Sequence, residues 1–163
     1  MAKAPVSKQV LLDGAQMTIA ATMAGIAGFL KERNIPLKEF VSYMGNKFEG
    51  TLGSLEGSGA DEVMQHLLML EVLPMGAEVV SDKLGTERAD VTLTSLPPRV
   101  LLEKFGTTPR QLLRDFRVTQ SEYESFYAMY EPAAKAIGLS FKHHANGGQE
   151  SLILERVQQS SKT

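Results

Sequence analysis

Residues 139–156, LSFKHHANGGQESLILER, hold the clearest hairpin signal in the chain. The runs Leu139 to Ala145 and Glu150 to Arg156 flank the four residues Asn146-Gly147-Gly148-Gln149. An Asn-Gly pair between two such runs favours a tight turn, because both central residues of that turn adopt positive φ. This segment is therefore predicted to form an antiparallel hairpin at the end of the chain.

A helix with an aromatic face is predicted immediately before this hairpin, from Val118 to Ile137. Thr119 and Glu122 have the spacing of a capping box, and Gly138 stands where a left-handed C-terminal residue belongs. Pro132 lies inside the helix and is expected to kink or divide it. One face carries Tyr123, Phe126, Tyr127, Tyr130, Ala134 and Ile137.

Another hairpin is predicted further upstream, from strands at Ala77 to Leu84 and Ala89 to Ser95. The second run alternates apolar residues with threonines, which is the period of a strand with one buried face. Short helices are predicted after it, at Arg99 to Phe105 and Arg110 to Phe116. Two hairpins of similar length favour one four-stranded antiparallel sheet, so the predicted fold is α+β, with a helical layer packed on that sheet.

Three helices are predicted before the first hairpin. Asp13 to Arg33 has helical periodicity and small residues on nearly every side, which indicates a central helix closely approached by its neighbours. Pro36 suits the first turn of a second helix. Ser58 and Asp61 have the spacing of a capping pair for a third helix, which should end before Pro74.

The composition is that of an ordinary soluble domain, and the whole chain, 1–163, is predicted to form one domain with flexible ends at 1–9 and 157–163. With 17 basic and 19 acidic residues the net charge is -2, so no nucleic-acid partner is predicted. The absence of cysteine excludes disulfide frameworks, thiolate metal sites and cysteine nucleophiles.

The longest apolar stretch, Met17 to Leu30, is shorter than the roughly 20 residues that a membrane-spanning helix needs. No membrane span is therefore predicted, and the expected location is cytoplasmic.

Histidines are the first candidates for chemistry, and the chain has three, His66, His143 and His144. Adjacent strand residues point to opposite faces, so His143 and His144 do not readily bind one metal ion. His66 is interpreted as a packed helix residue. The spacing matches no known metal motif, and neither a metal site nor a cofactor is predicted.

The aromatic helix is the most suggestive feature. Its three tyrosines are interpreted either as core residues or as the wall of a small-molecule pocket, because buried hydroxyls need partners. The candidate ligand-binding residues are Tyr123, Phe126, Tyr127, Tyr130 and His144. The candidate catalytic residues are His143, His144 and Tyr127, since histidine has a suitable pKa for general-base catalysis.

Residues Tyr123 to Arg156 resemble the end of the 4-vinyl-reductase-like domain, whose small-ligand-binding fold is shared with TRAPP transport subunits. The similarity lies in Phe126-Tyr127, in Ile137-Gly138-Leu139, in the Gly147-Gly148 turn and in residues 151–154, SLIL. Those domains usually carry cysteines on the final hairpin, where this chain has histidine and Ser151 instead. The departure argues against metal or thiol chemistry of the family type.

The resemblance implies a domain that holds a small, largely apolar molecule between the helices and the sheet, as a sensor, carrier or accessory protein. The first hypothesis is such a binding domain, and a homodimer is predicted. Two alternatives stay open. One is a small hydrolase or lyase that uses a histidine general base. The other is a structural or assembly module whose pocket is filled by its own side chains.

Overall fold

The computed structural model describes residues 7–157, which form a layer of helices packed on one face of a four-stranded sheet. The α-helices are α1 (Lys8–Glu32), α2 (Leu37–Phe48), α3 (Ala60–Leu67), α4 (Arg99–Lys104), α5 (Pro109–Asp115), α6 (Gln120–Glu124) and α7 (Tyr130–Ala136). The strands are β1 (Val79–Leu84), β2 (Arg88–Thr94), β3 (Leu139–Asn146) and β4 (Gln149–Arg156). Short 3-10 helices span Glu49–Leu55, Leu73–Met75 and Ser125–Met129, and a short π-helix spans Leu68–Val72.

The predicted α+β fold is confirmed. All strand pairs are antiparallel and the strand order is β1-β2-β4-β3, so the two hairpins meet where β2 pairs with β4. The predicted tight turn between β3 and β4 is present, but its two central residues are Gly147 and Gly148, with φ of 58° and 94°, and Asn146 is the last residue of β3. Each strand begins and ends within two residues of its predicted bounds.

The face of the sheet that lies against the helices supplies one side of the hydrophobic core. Burial alternates along β2 and β4, so every second residue faces the helices. Leu93 of β2 lies opposite Glu150 of β4 on this buried face. An acidic residue therefore occupies a core position, which has consequences for the site described below.

Helix α1 differs from its prediction as a central helix. Val10, Leu11 and Phe29 remain 58%, 62% and 55% exposed, and only one side faces the core. That side is a stripe of small residues, Ala20, Ala24, Ala27 and Gly28. The small residues are there because neighbouring segments approach one side of α1 closely, and the opposite side is left to solvent.

The start of α1 also differs from the prediction. Ser7 caps the helix by accepting a hydrogen bond from the backbone N–H of Val10, so residues 7–9 are not a loose end. The remainder of the predicted flexible ends lies outside the described residues. At 25 residues, with a mean hydropathy of 1.4 over 18 of them, α1 is long and apolar enough to cross a membrane. Core helices and signal sequences share that property.

The helix predicted from Val118 to Ile137 is divided into α6, a 3-10 turn and α7. Pro132 lies in the first turn of α7 and has no N–H to bond the carbonyl of Ala128, so the preceding residues tighten into the 3-10 turn. The predicted capping box of Thr119 and Glu122 is present. The predicted cap of α3 is wrong, because Gly59 and not Ser58 precedes the helix.

Because α1 packs closely against Phe116 at Gly28, we expect Gly28→Ala to destabilise the protein. A Cβ at position 28 would lie 2.5 Å from the carbonyl oxygen of Phe116, so the backbone must shift. We expect a loss of about 1–3 kcal/mol in the free energy of unfolding. Gly14→Ala is the matched control, because nothing lies within 4 Å of its Cβ position. It should leave stability unchanged or raise it by up to about 1 kcal/mol in urea unfolding.

Equal changes in the two variants would contradict the close approach of Phe116.

Candidate functional site

The predicted aromatic residues lie together around a small cavity between the helices and the sheet. Its volume is about 10 Å³, which is room for one water molecule at most. We call this cavity the chamber. It is lined by Met23, Met75, Leu96, Tyr123, Phe126, Tyr127, Met129 and Tyr130.

Edge-to-face contacts hold the rings of the chamber in place. Phe126 meets Phe40 at 6.3 Å and Tyr123 at 6.2 Å between ring centroids, and Tyr130 meets Phe141 of β3 at 5.8 Å. Such pairs add about 0.5–1.5 kcal/mol to the burial of each ring. The aromatic wall is therefore rigid, whereas the three methionines that complete the lining are unbranched and adaptable.

The hydroxyls of the three tyrosines differ in their surroundings. The hydroxyl of Tyr123 lies 3.5 Å from the carbonyl oxygen of Ala20 and 3.8 Å from the sulfur of Met23. Within residues 7–157 the buried hydroxyl of Tyr130 has no hydrogen-bond partner, and the buried hydroxyl of Tyr127 faces the carboxylate of Glu150 without a well-formed hydrogen bond to it. We call these two the chamber hydroxyls. A buried polar group left without a partner costs about 1–3 kcal/mol.

The pKa values of these tyrosines reflect the same environment. Burial raises the pKa of Tyr127, and the carboxylate of Glu150 raises it further. Burial also raises the pKa of Tyr130, with a smaller contribution from Glu71. Both hydroxyls therefore stay protonated and remain hydrogen-bond donors at neutral pH.

A buried carboxylate, Glu150, stands beside the chamber. One oxygen accepts a hydrogen bond from the backbone N–H of Leu96 at 2.7 Å, and the other lies 2.7 Å from Nε2 of His143. Glu150 is fully buried, whereas the side chain of His143 keeps 17% of its exposure. The imidazole of His143 stacks on Tyr127, with ring centroids 4.3 Å apart. His143, Glu150 and Tyr127 thus form one connected group.

His144 lies on the opposite face of the sheet and is exposed, beside Ser151 of β4. The structure therefore does not bring His144 together with the tyrosines as predicted, and His143 is the histidine that contacts one of them. The physical reason is the alternation of strand residues, because Leu139, Phe141 and His143 share the buried face. His66 is half-buried on α3. Within residues 7–157 no three metal-ligating side chains form a group.

An open cleft of about 790 Å³ lies outside the chamber, between the first half of α1, the start of α4 and the β3–β4 turn. Leu96 lines both spaces and is the wall between them. Its backbone is held on both sides, because Nε2 of Gln120 donates to its carbonyl at 2.6 Å and Glu150 accepts from its N–H.

Two residues beside the chamber, Glu150 and Leu96, were not predicted from the sequence. Glu150 could have been found, because it shares the strand parity of Leu152 and Leu154, whose side chains face the core. Leu96 could not, since its position depends on contacts with residues far away along the chain.

Comparison with known proteins does not extend these observations. No protein-family model, no curated protein and no solved structure matches the chain.

The contacts of Glu150 predict its effect on stability. Glu150→Ala leaves the N–H of Leu96 and the ring of His143 without this carboxylate, and we expect a loss of about 2–4 kcal/mol in the free energy of unfolding. Glu155→Ala is the matched control on the same strand, because its ion pairs with Arg88 and Lys142 are long and partly exposed. That change should stay within about 1 kcal/mol in urea unfolding.

A loss from Glu150→Ala no larger than that from Glu155→Ala would contradict a stabilising role for the buried carboxylate.

Proposed function

We propose that this protein binds a small, largely apolar molecule in the chamber, and that the cleft is the route of entry. The observation that carries the proposal is the pair of chamber hydroxyls. Tyr127 and Tyr130 belong to an otherwise apolar lining of aromatic rings and methionines, and the hydroxyl of Tyr130 is a buried polar group without a hydrogen-bond partner. An apolar enclosure with a few polar groups is the usual design of a small-molecule site.

The cleft by itself is a weaker candidate, because several of its polar side chains already bond to neighbours. Lys104 pairs with Asp13 at 2.9 Å, Nε2 of Gln16 donates to the carbonyl of Leu73 at 3.3 Å, and Gln120 donates to Leu96. These groups are also in reach of water. A ligand gains more from the chamber, where hydrogen bonds do not have to replace existing ones.

Entry into the chamber requires side-chain movement, since the volume of the chamber is about 10 Å³. Two properties of the lining support such movement. Leu96 is the barrier on the cleft side, and a change of its rotamer leaves its backbone hydrogen bonds intact. Met23, Met75 and Met129 have three rotatable bonds each and repack at small cost. The chamber thus enlarges while the aromatic wall keeps its shape.

The binding of ethylbenzene tests the proposal, with protein labelled at the methionine methyl groups with ¹³C. We expect saturable shifts of the methyl signals of Met23, Met75 and Met129. The controls are Met64, which is buried outside the chamber, and Met69, which is 70% exposed. The methyl signals of Met64 and Met69 should not shift. Unchanged chamber signals up to the solubility limit of ethylbenzene would contradict the proposal and favour a structural or assembly role.

The route of entry is tested in the same titration with Leu96→Ala, which should raise the association rate of ethylbenzene several-fold. Leu102→Ala is the control, because Leu102 is equally buried and does not line the chamber. Both variants should lose about 2–5 kcal/mol of stability. The expected difference between them therefore lies in the rate of binding and not in stability.

A second candidate function, a hydrolase or lyase, is favoured by the contact between His143 and Glu150. A histidine oriented by a carboxylate is the arrangement of a general base, and His143 retains some exposure to solvent. Phenyl acetate hydrolysis tests this candidate. An enzyme of this kind should lose its rate in His143→Gln and keep it in His144→Gln. Equal slow rates in the wild type and both variants would contradict hydrolysis by His143.

A further inference from the structure

We propose that the chamber takes an uncharged molecule whose apolar body carries a hydrogen-bond acceptor, such as a carbonyl oxygen, and that the hydroxyls of Tyr130 and Tyr127 donate to it. This inference rests on the proposed function and adds the chemical class of the ligand.

The donors of the chamber determine the need for an acceptor. A hydroxyl can donate one hydrogen bond and accept two, but an unused donor is the less tolerated of the two states in a protein interior. The sulfurs of the lining methionines are weak acceptors. A ligand oxygen has two lone pairs, so it can accept from the hydroxyl of Tyr130 and still accept a second hydrogen bond.

The charges around the chamber disfavour an anion. The carboxylate of Glu150 acts on Tyr127 and the carboxylate of Glu71 acts on Tyr130, and both make the potential at the hydroxyls more negative. A ligand carboxylate would add a further negative charge there, with no basic side chain in the lining of the chamber. A neutral acceptor avoids this repulsion and loses less hydration on entry.

A cation is attracted by the same potential and by the aromatic rings, but it brings only donors. The chamber hydroxyls could accept from it, yet their own protons would still lack partners. A neutral acceptor needs the hydroxyls as hydrogen-bond donors, whereas a cation needs them as acceptors. Substitution of the tyrosines therefore distinguishes these two classes of ligand.

Four single-ring compounds of similar size provide the test, namely ethylbenzene, acetophenone, benzoate and benzylammonium. Dissociation constants come from the labelled methionine methyl groups. The quantity of interest is the affinity for acetophenone relative to ethylbenzene, because this ratio cancels the burial that both rings share. We expect Tyr130→Phe to lower the ratio about three- to tenfold. Tyr127→Phe should lower it less, since Glu150 lies close to that hydroxyl.

Two further tyrosines supply matched controls. Tyr123→Phe removes a hydroxyl that already faces the carbonyl of Ala20, and Tyr43→Phe removes one that is 59% exposed on α2. Both should leave the ratio unchanged. Ligand-free Tyr130→Phe should melt at the same temperature as the wild type or higher, because the change removes a buried donor without removing a hydrogen bond.

The outcomes separate the two proposals. If ethylbenzene binds and the ratio stays constant in Tyr130→Phe and in the double variant with Tyr127→Phe, the acceptor inference is overturned and the binding function stands. Tighter binding of benzoate or benzylammonium than of acetophenone also overturns it. If none of the four compounds shifts the chamber signals, the proposed function and this inference fail together.

Discussion

The buried carboxylate of Glu150 is the constraint on which the site depends. Removing a carboxylate from water costs several kcal/mol unless its oxygens find partners. Here the backbone N–H of Leu96 and the ring of His143 supply them. The hydrogen bond from Leu96 holds the segment that follows β2 at the end of the sheet. The contact with His143 keeps its imidazole stacked on the ring of Tyr127. One charge thereby positions both the barrier of the chamber and part of its wall.

The hairpins were predictable because their signals are local. Alternation in β2 and the turn residues between β3 and β4 act over a few residues, and the distant parts of the chain do not change them. The role of α1 was not predictable in this way. Its small residues fit burial on all sides as well as close approach on one side, and only the docking of Phe116 against Gly28 distinguishes these cases. Exposed Leu11 and Phe29 are the visible result.

The candidate site was predicted in part for the same reason. Spacings of three and four residues place Tyr123, Tyr127 and Tyr130 on one face, although the helix itself changes to a 3-10 turn between α6 and α7. The choice between His143 and His144 follows from strand parity, which the neighbouring Phe141 already indicates. The position of Leu96 depends on hydrogen bonds with Gln120 of α6 and Glu150 of β4. Contacts between residues so far apart along the chain leave no pattern in a single sequence.

The chamber also shows how a site differs from an ordinary core. Phenylalanine at position 130 would fill nearly the same volume, and it would remove a buried hydroxyl whose missing partner costs about 1–3 kcal/mol. A domain has a total stability of only about 5–15 kcal/mol, so this cost is a substantial fraction of it. Packing alone therefore does not account for the tyrosine at this position. Under the proposed function, a ligand that accepts hydrogen bonds from the chamber hydroxyls offsets in the bound state a cost that the free protein carries.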